Sequence, residues 1–444
     1  MLDDVRESFE ALAAATQSGL RGGESFELNL HAEDSEFVRL NRGAVRQAGS
    51  VVQRTLSLDL AEGKRHAAGT LTLSGDQVAD RERVAALVRE LRVQRDELPE
   101  DPWLLSPDEP VSSERVVASV LPERDEVLDR LAAAGRGRDL VGIYASGPVA
   151  HAFASSRGQR NWFVCPSFNL DWSLHLEADR AVKASYAGTR WDGAAFEHRI
   201  ARSSGELELL ARPTRNLPPG RYAVHLAPDA VAELMGLLSW GGFGLRALRT
   251  KTSPLLRMVE AGETFHPSVT IVEDTAGGTA PDFQEQGFRR PDRVPLVEGG
   301  RHAASLVSPR SAVEFEAPTN GATAQESPVS LDVAAGDLPA EDALQRLGSG
   351  IHVSNLHYLN YSDRTRCRAT GMTRFACFAV ESGELVAPIG VLRFDDTLFR
   401  MLGSNLIGLT RERETILDPL TYGGRSVASM RVPGALVADV AFTL

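Results

Sequence analysis

The stretch AELMGLLSWGG, residues 232–242, follows RYAVHLAPD at 221–229. Alternating character that gives way to apolar residues at helical spacing reads as a strand feeding a helix, and the glycine pair marks its stop. Val231, Leu234, Met235, Leu238 and Trp240, with Leu237 beside them, make the helix apolar on nearly every side, so burial is expected. Nothing in this core helix offers the imidazole, thiolate or carboxylate ligands of a zinc site, apart from Glu233.

Outward from this helix, the chain divides at two proline-rich breaks, LPEDPWLLSPDEPVSS (98–113) and RPTRNLPPGR (212–221). Before the first break, residues 2–17 place Val5, Phe9, Leu12 and Ala13 on one helical face. Alternating runs from 25 to 73 predict antiparallel strands with turns at NRG and EGK, and a helix follows at about 77–97. Between the breaks lie a short helix near 123–134, strands from 139 to about 188 and a helix over 192–211. The expected organisation is α+β. It comprises an N-terminal α+β domain (1–98), a central strand-rich segment packed with it (111–212), and a large strand-rich C-terminal domain (218–444).

With 444 residues, 43% hydrophobic and 24% charged, the composition is that of a globular chain of two or three domains. The net charge of −12 and the short, broken basic runs argue against nucleic acid as a partner. No window has the eighteen or so apolar residues of a membrane span. The start lacks a basic, apolar secretion signal. Three cysteines, Cys165, Cys367 and Cys377, are too few for a disulfide framework, and a cytoplasmic location is expected.

Four further stretches stand out. They are SEFVRLNRGAVRQAG (35–49), PDFQEQGFRRPDRVPLVEGGRHAASLVSPRSA (281–312), LDVAAGDLPAEDALQRLGSGIHVSNL (331–356) and CFAVESGELVAPIGVLRFDDTLFRMLGSNLIGLTRER (377–413). In this order they resemble the TldD/PmbA family of metallopeptidase subunits, PmbA being also called TldE. The resemblance implies a TldD/PmbA-like fold and a chamber in which unfolded or short peptides are cut. In the zinc-bearing TldD type, the central helix reads H-E-x-x-x-H. Alignment through HLAPDAVAEL (225–234) puts Met235, Gly236 and Trp240 at those positions, and Tyr422 of TYGGRS where that type has a third ligand, a cysteine. Met offers a soft thioether, Trp a donor only, and Gly no general base.

The resemblance therefore implies a PmbA/TldE-like subunit with no metal and no catalytic residue of its own. Zinc is expected on a TldD-type partner in a heterodimer or larger assembly, where zinc-activated water would attack the peptide. Two alternatives stand beside it: a peptide-binding or maturation scaffold, homodimeric in one form, and an enzyme with a metal elsewhere. The family's older label, modulator of DNA gyrase, has no basic face here to support it.

Other chemistry is weakly signalled. His352 and His357, five apart, are expected on opposite faces of a strand, and Cys367 and Cys377 have the spacing of cross-strand neighbours in a hairpin. His225, His266 and His302 are expected to be solvated or hydrogen-bonded. No G-x-S-x-G elbow, phosphate loop or dinucleotide fingerprint is present.

Overall fold

In the computed structural model, which describes residues 2–443, two sheets divide the chain. The first is built from β1 (Glu24–Asn41), β2 (Ala44–Glu62), β3 (Arg65–Thr72), β4 (Ser113–Val116), β5 (Asp139–Ser155), β6 (Arg160–Glu177) and β7 (Arg180–Gly188). Its order is β3-β2-β1-β5-β6-β4, with β7 also on β6. The expected meander is β1–β3. It continues into the central segment because β1 pairs antiparallel with β5 from Glu27 opposite Ser155 to Leu40 opposite Gly142.

Alternation along β1 buries Phe26, Leu28, Leu30 and Ala32 against α1 (Leu2–Ser18) and α2 (Gln77–Glu97). Val5, Phe9 and Leu12 of α1 and Val84, Leu87 and Leu91 of α2 complete that core. Asp76 begins α2 by accepting from the amides of Val78 and Ala79, satisfying donors that the first turn leaves free. Further along the same strand, Val38 and Leu40 pack with Trp172 of β6, α3 (Arg124–Gly135) and α4 (Gly193–Leu210). Inward residues of β5 and β6, Val149, Phe153, Phe163 and Cys165, instead meet Ala280, Phe283 and Val427 from the C-terminal half.

The second sheet has thirteen strands and centres on β8 (Gly220–Leu226) and the last strand, Ser429–Phe442, which are antiparallel. On its other side β8 runs parallel to Gly350–Val353. Directly after β8 comes α5 (Pro228–Ser239), with proline in its first turn, where a missing N–H costs nothing. Its end is set by Gly241 (φ +77°) and Gly242, where a Cβ would come within 2.2 Å of the Leu238 carbonyl oxygen. Val231, Leu234, Met235 and Leu238 bury into the largest core of the molecule.

The architecture is α+β, strand-helix at the N-terminal end and strand-rich at the C-terminal end. Arg425 ties the halves together. It donates to the carbonyls of Gly147 and Ser167 at 2.9 Å each and to Ser167 Oγ at 2.9 Å. Among the described residues, no helix is long and apolar enough to cross a membrane.

Candidate functional site

The expected burial of α5 holds for Val231, Leu234, Met235, Leu237 and Leu238 but not for Trp240. Glu233, Gly236 and Trp240 are exposed, a stripe at helical spacing. Trp240, the residue that caps the helix, is 59% exposed. Arg364, far away in sequence, lies 5.1 Å over its ring and donates to its carbonyl, while Tyr361 Oη donates to the Leu237 carbonyl at 2.8 Å. The tryptophan is thus part of a helix-end clamp that supplies donors to the last free carbonyls.

The four positions where the resemblance places the zinc type's ligands and base differ in their surroundings. Met235 is buried in the core, and Gly236 opens outward with no atom within 4 Å of an added Cβ. Tyr422 is 88% exposed, in the 418–428 segment that Gln53 and Arg425 pin to the first sheet. A thioether facing the core, a bare backbone, an indole under a guanidinium and an exposed phenol do not fit zinc. Among the described residues, no three His, Cys, Asp or Glu side chains gather closely enough to hold a metal.

Above the open face of α5 is a cleft of about 360 Å³ between the two halves. Its walls carry Asn169 and Asp171 of β6, Lys183 and Ser185 of β7, Asp229, Ala232, Glu233 and Gly236 of α5, Asn355, and the 416–419 and 428–430 segments. Lys183 pairs with Asp171 at 3.2 Å, and Ser185 Oγ donates to Asp229 at 3.3 Å. Burial, with Glu414 nearby, pushes the Asp229 carboxyl up to about 6. Burial also raises Asp171 and Glu233. Asn355 is 6% exposed, and its Oδ1 has no hydrogen-bond partner.

Sequence reasoning missed this cluster. The four-residue spacing of Asp229 and Glu233 was available as a signal, but an acidic pair on a helix is most often solvated surface.

The remaining candidates resolve singly. His352 is buried and His357 exposed; His225 and His352 pair in the core. His266 contacts Ser268 and His302 contacts Ser305. The cysteine expectation is corrected: Cys367 precedes the strand Arg368–Arg374 and Cys377 follows it. They sit at opposite ends of one strand rather than facing across a hairpin, and both are buried and free. A larger cavity, of about 790 Å³, holds Arg257, Arg366, Arg368 and Arg400, each already ion-paired.

Fold and site together describe an α+β protein with a cleft over its buried helix α5. Residues 219–443, just over half of the chain, match the family model of the PmbA/TldA metallopeptidase C-terminal domain, and the chain belongs to the PmbA/TldD family. The fold is shared with TldE from Thermococcus kodakarensis (TM-score 0.78, 13% identity, 98% of this chain and 100% of that one). A protein described as a modulator of a DNA gyrase from Thermotoga maritima gives TM-score 0.76 at 13% identity, over 99% and 100% of the two chains. Another so described, from Bacteroides thetaiotaomicron, gives 0.73 at 15%, over 99% and 98%. At these identities the likeness is one of fold. No curated protein matches.

Proposed function

We propose that the chain is a metal-free, TldE-like subunit of a heteromeric zinc peptidase, completing a peptide-cutting chamber for a zinc-bearing TldD-type partner. One observation supports this most directly: the family's central helix is kept as core, while Met235 and Gly236 offer neither an imidazole nor a general base. Its substrates would be unfolded or short peptides held in extended form, which main-chain pairing accepts with little regard to sequence. Zinc belongs on the partner. A cytoplasmic location agrees with three buried, unpaired thiols.

The test is co-expression with a TldD-type chain carrying an intact H-E-x-x-x-H, followed by co-purification and peptide cleavage. A stable complex that cuts peptides, with neither zinc nor cleavage in this chain alone, is the expected result. Near-stoichiometric zinc and cleavage by the isolated chain would overturn it. Tight peptide binding with no cleavage in any mixture would favour the non-proteolytic scaffold, including its homodimeric form.

A further inference from the structure

We infer that the cleft over α5 binds a protonated primary amine carried by a peptide, either its α-amino terminus or a lysine side chain. This deepens the peptide-handling reading above and rests on it. Four carboxylates line the cleft, Asp171, Asp229, Glu233 and Asp418, against one lysine, and that lysine is engaged with Asp171. Asp229 and Glu233, one turn apart on α5, form no direct ion pair among the described residues; Lys183 acts on both from across the cleft but makes its contact with Asp171. From a third wall Asn355 lines the same cavity, 6% exposed, with an oxygen that accepts from nothing. A buried acceptor left unmade costs about 1–3 kcal/mol, so its retention on a cleft wall points to a donor supplied from outside.

The missing ligand must be positively charged and must donate in several directions. An ammonium has three rotatable N–H donors and no acceptor, which suits acceptors set on separate walls better than the planar fork of a guanidinium does. A divalent cation is disfavoured because the carboxylates are not drawn together into a metal-holding group. Gly236 leaves the floor open, and Ile416 and Met430 supply apolar wall for the rest of a peptide.

The test is calorimetric titration of the intact chain with three C-terminally amidated alanine-glycine pentapeptides. One has a free α-amine and no lysine, one is acetylated with a single lysine, and one is acetylated without lysine. Binding at least about tenfold tighter for the first or the second than for the third is expected, and whichever it is identifies the source of the amine. Asp229→Asn with Glu233→Gln should abolish the preference. Lys183→Met, which frees Asp171, should strengthen it, a gain that a folding defect would not produce. Equal affinity for all three peptides, no binding of any, or a preference that survives the double substitution would refute the inference. Cleavage by a complex with the zinc-bearing partner that shows no amine preference would refute this inference alone. An amine preference in a chain that joins no such partner would refute only the subunit assignment.

Discussion

His225 and His352 meet through their Nδ1 atoms, 3.0 Å apart, where β8 and Gly350–Val353 run parallel and set them side by side. A hydrogen bond between two imidazoles needs one protonated and one bare nitrogen, so two imidazolium rings cannot form it. Burial, then the charge of Arg202, holds His225 down at about 4, and burial, then His225 and Arg202, lowers His352 well below the usual imidazole value.

A pH dependence follows from this pair. Both rings are neutral when folded, whereas in the unfolded chain they titrate near about 6.5. Because the unfolded chain binds more protons below that value, the pair's contribution is complete above about pH 6.5 and is lost as pH falls toward 4. Denaturant unfolding at pH 7 and pH 4.5 should show a loss of up to about 5 kcal/mol that His225→Leu with His352→Leu largely removes. If the double variant loses as much as the parent, the pair is not the source.

Asp229 has the opposite sign. Its carboxyl is held up at about 6, so the fold favours its protonated form, and that contribution is present below about pH 4 and lost as pH rises through 6. Asp229→Asn should therefore leave stability nearly unchanged at pH 4 and raise it by about 1 kcal/mol at pH 7.5, a figure discounted for the openness of the cleft. Thermal unfolding at the two pH values would show this, and a variant less stable at pH 7.5 would contradict it.

The two neighbours Met235 and Gly236 should respond differently to substitution. Gly236 is helical and its Cβ direction is empty, so Gly236→Ala should stabilise by about 0.5–1 kcal/mol. Met235 is buried among apolar side chains, so Met235→His should cost about 2 kcal/mol or more. Met235→His, Gly236→Glu and Trp240→His together should hold no stoichiometric zinc, because Tyr422, at the place of the third ligand, supplies no thiolate. Metal analysis of the purified triple variant decides the last point, and unfolding curves decide the first two.

Much of the secondary structure was legible because its signals are local. The period of about 3.6 residues that puts Val84, Leu87, Val88 and Leu91 on one face lies within a single helix, and α2 runs over Gln77–Glu97 as that spacing requires. The tight turns joining β1, β2 and β3 are likewise written in adjacent residues. By contrast β4, only four residues long and parallel to β6, carries no periodic signature and went unread. The pairing of β1 with β5 joins segments more than a hundred residues apart, a distance over which hydrophobic alternation carries no address.

The cleft shows the same division. That residues 235, 236 and 240 lack zinc donors is a property of side-chain chemistry and needs no coordinates. Which side of α5 faces solvent could not be read, because an apolar helix shows no preference until its neighbours are placed. Trp240 lies outside the core, with Arg364 from another part of the chain over its ring.

The sequence alone determined where most strands and helices form, and that residues 235, 236 and 240 carry no imidazole, thiolate or carboxylate, because both are properties of short windows and of side-chain chemistry. The tertiary structure alone decided that Asp171, Asp229, Glu233 and Asn355 share one cleft and that His225 meets His352. The first depends on how the two sheets pack and the second on which distant strands pair within one sheet, a long-range balance of burial and hydrogen bonding that no local pattern encodes.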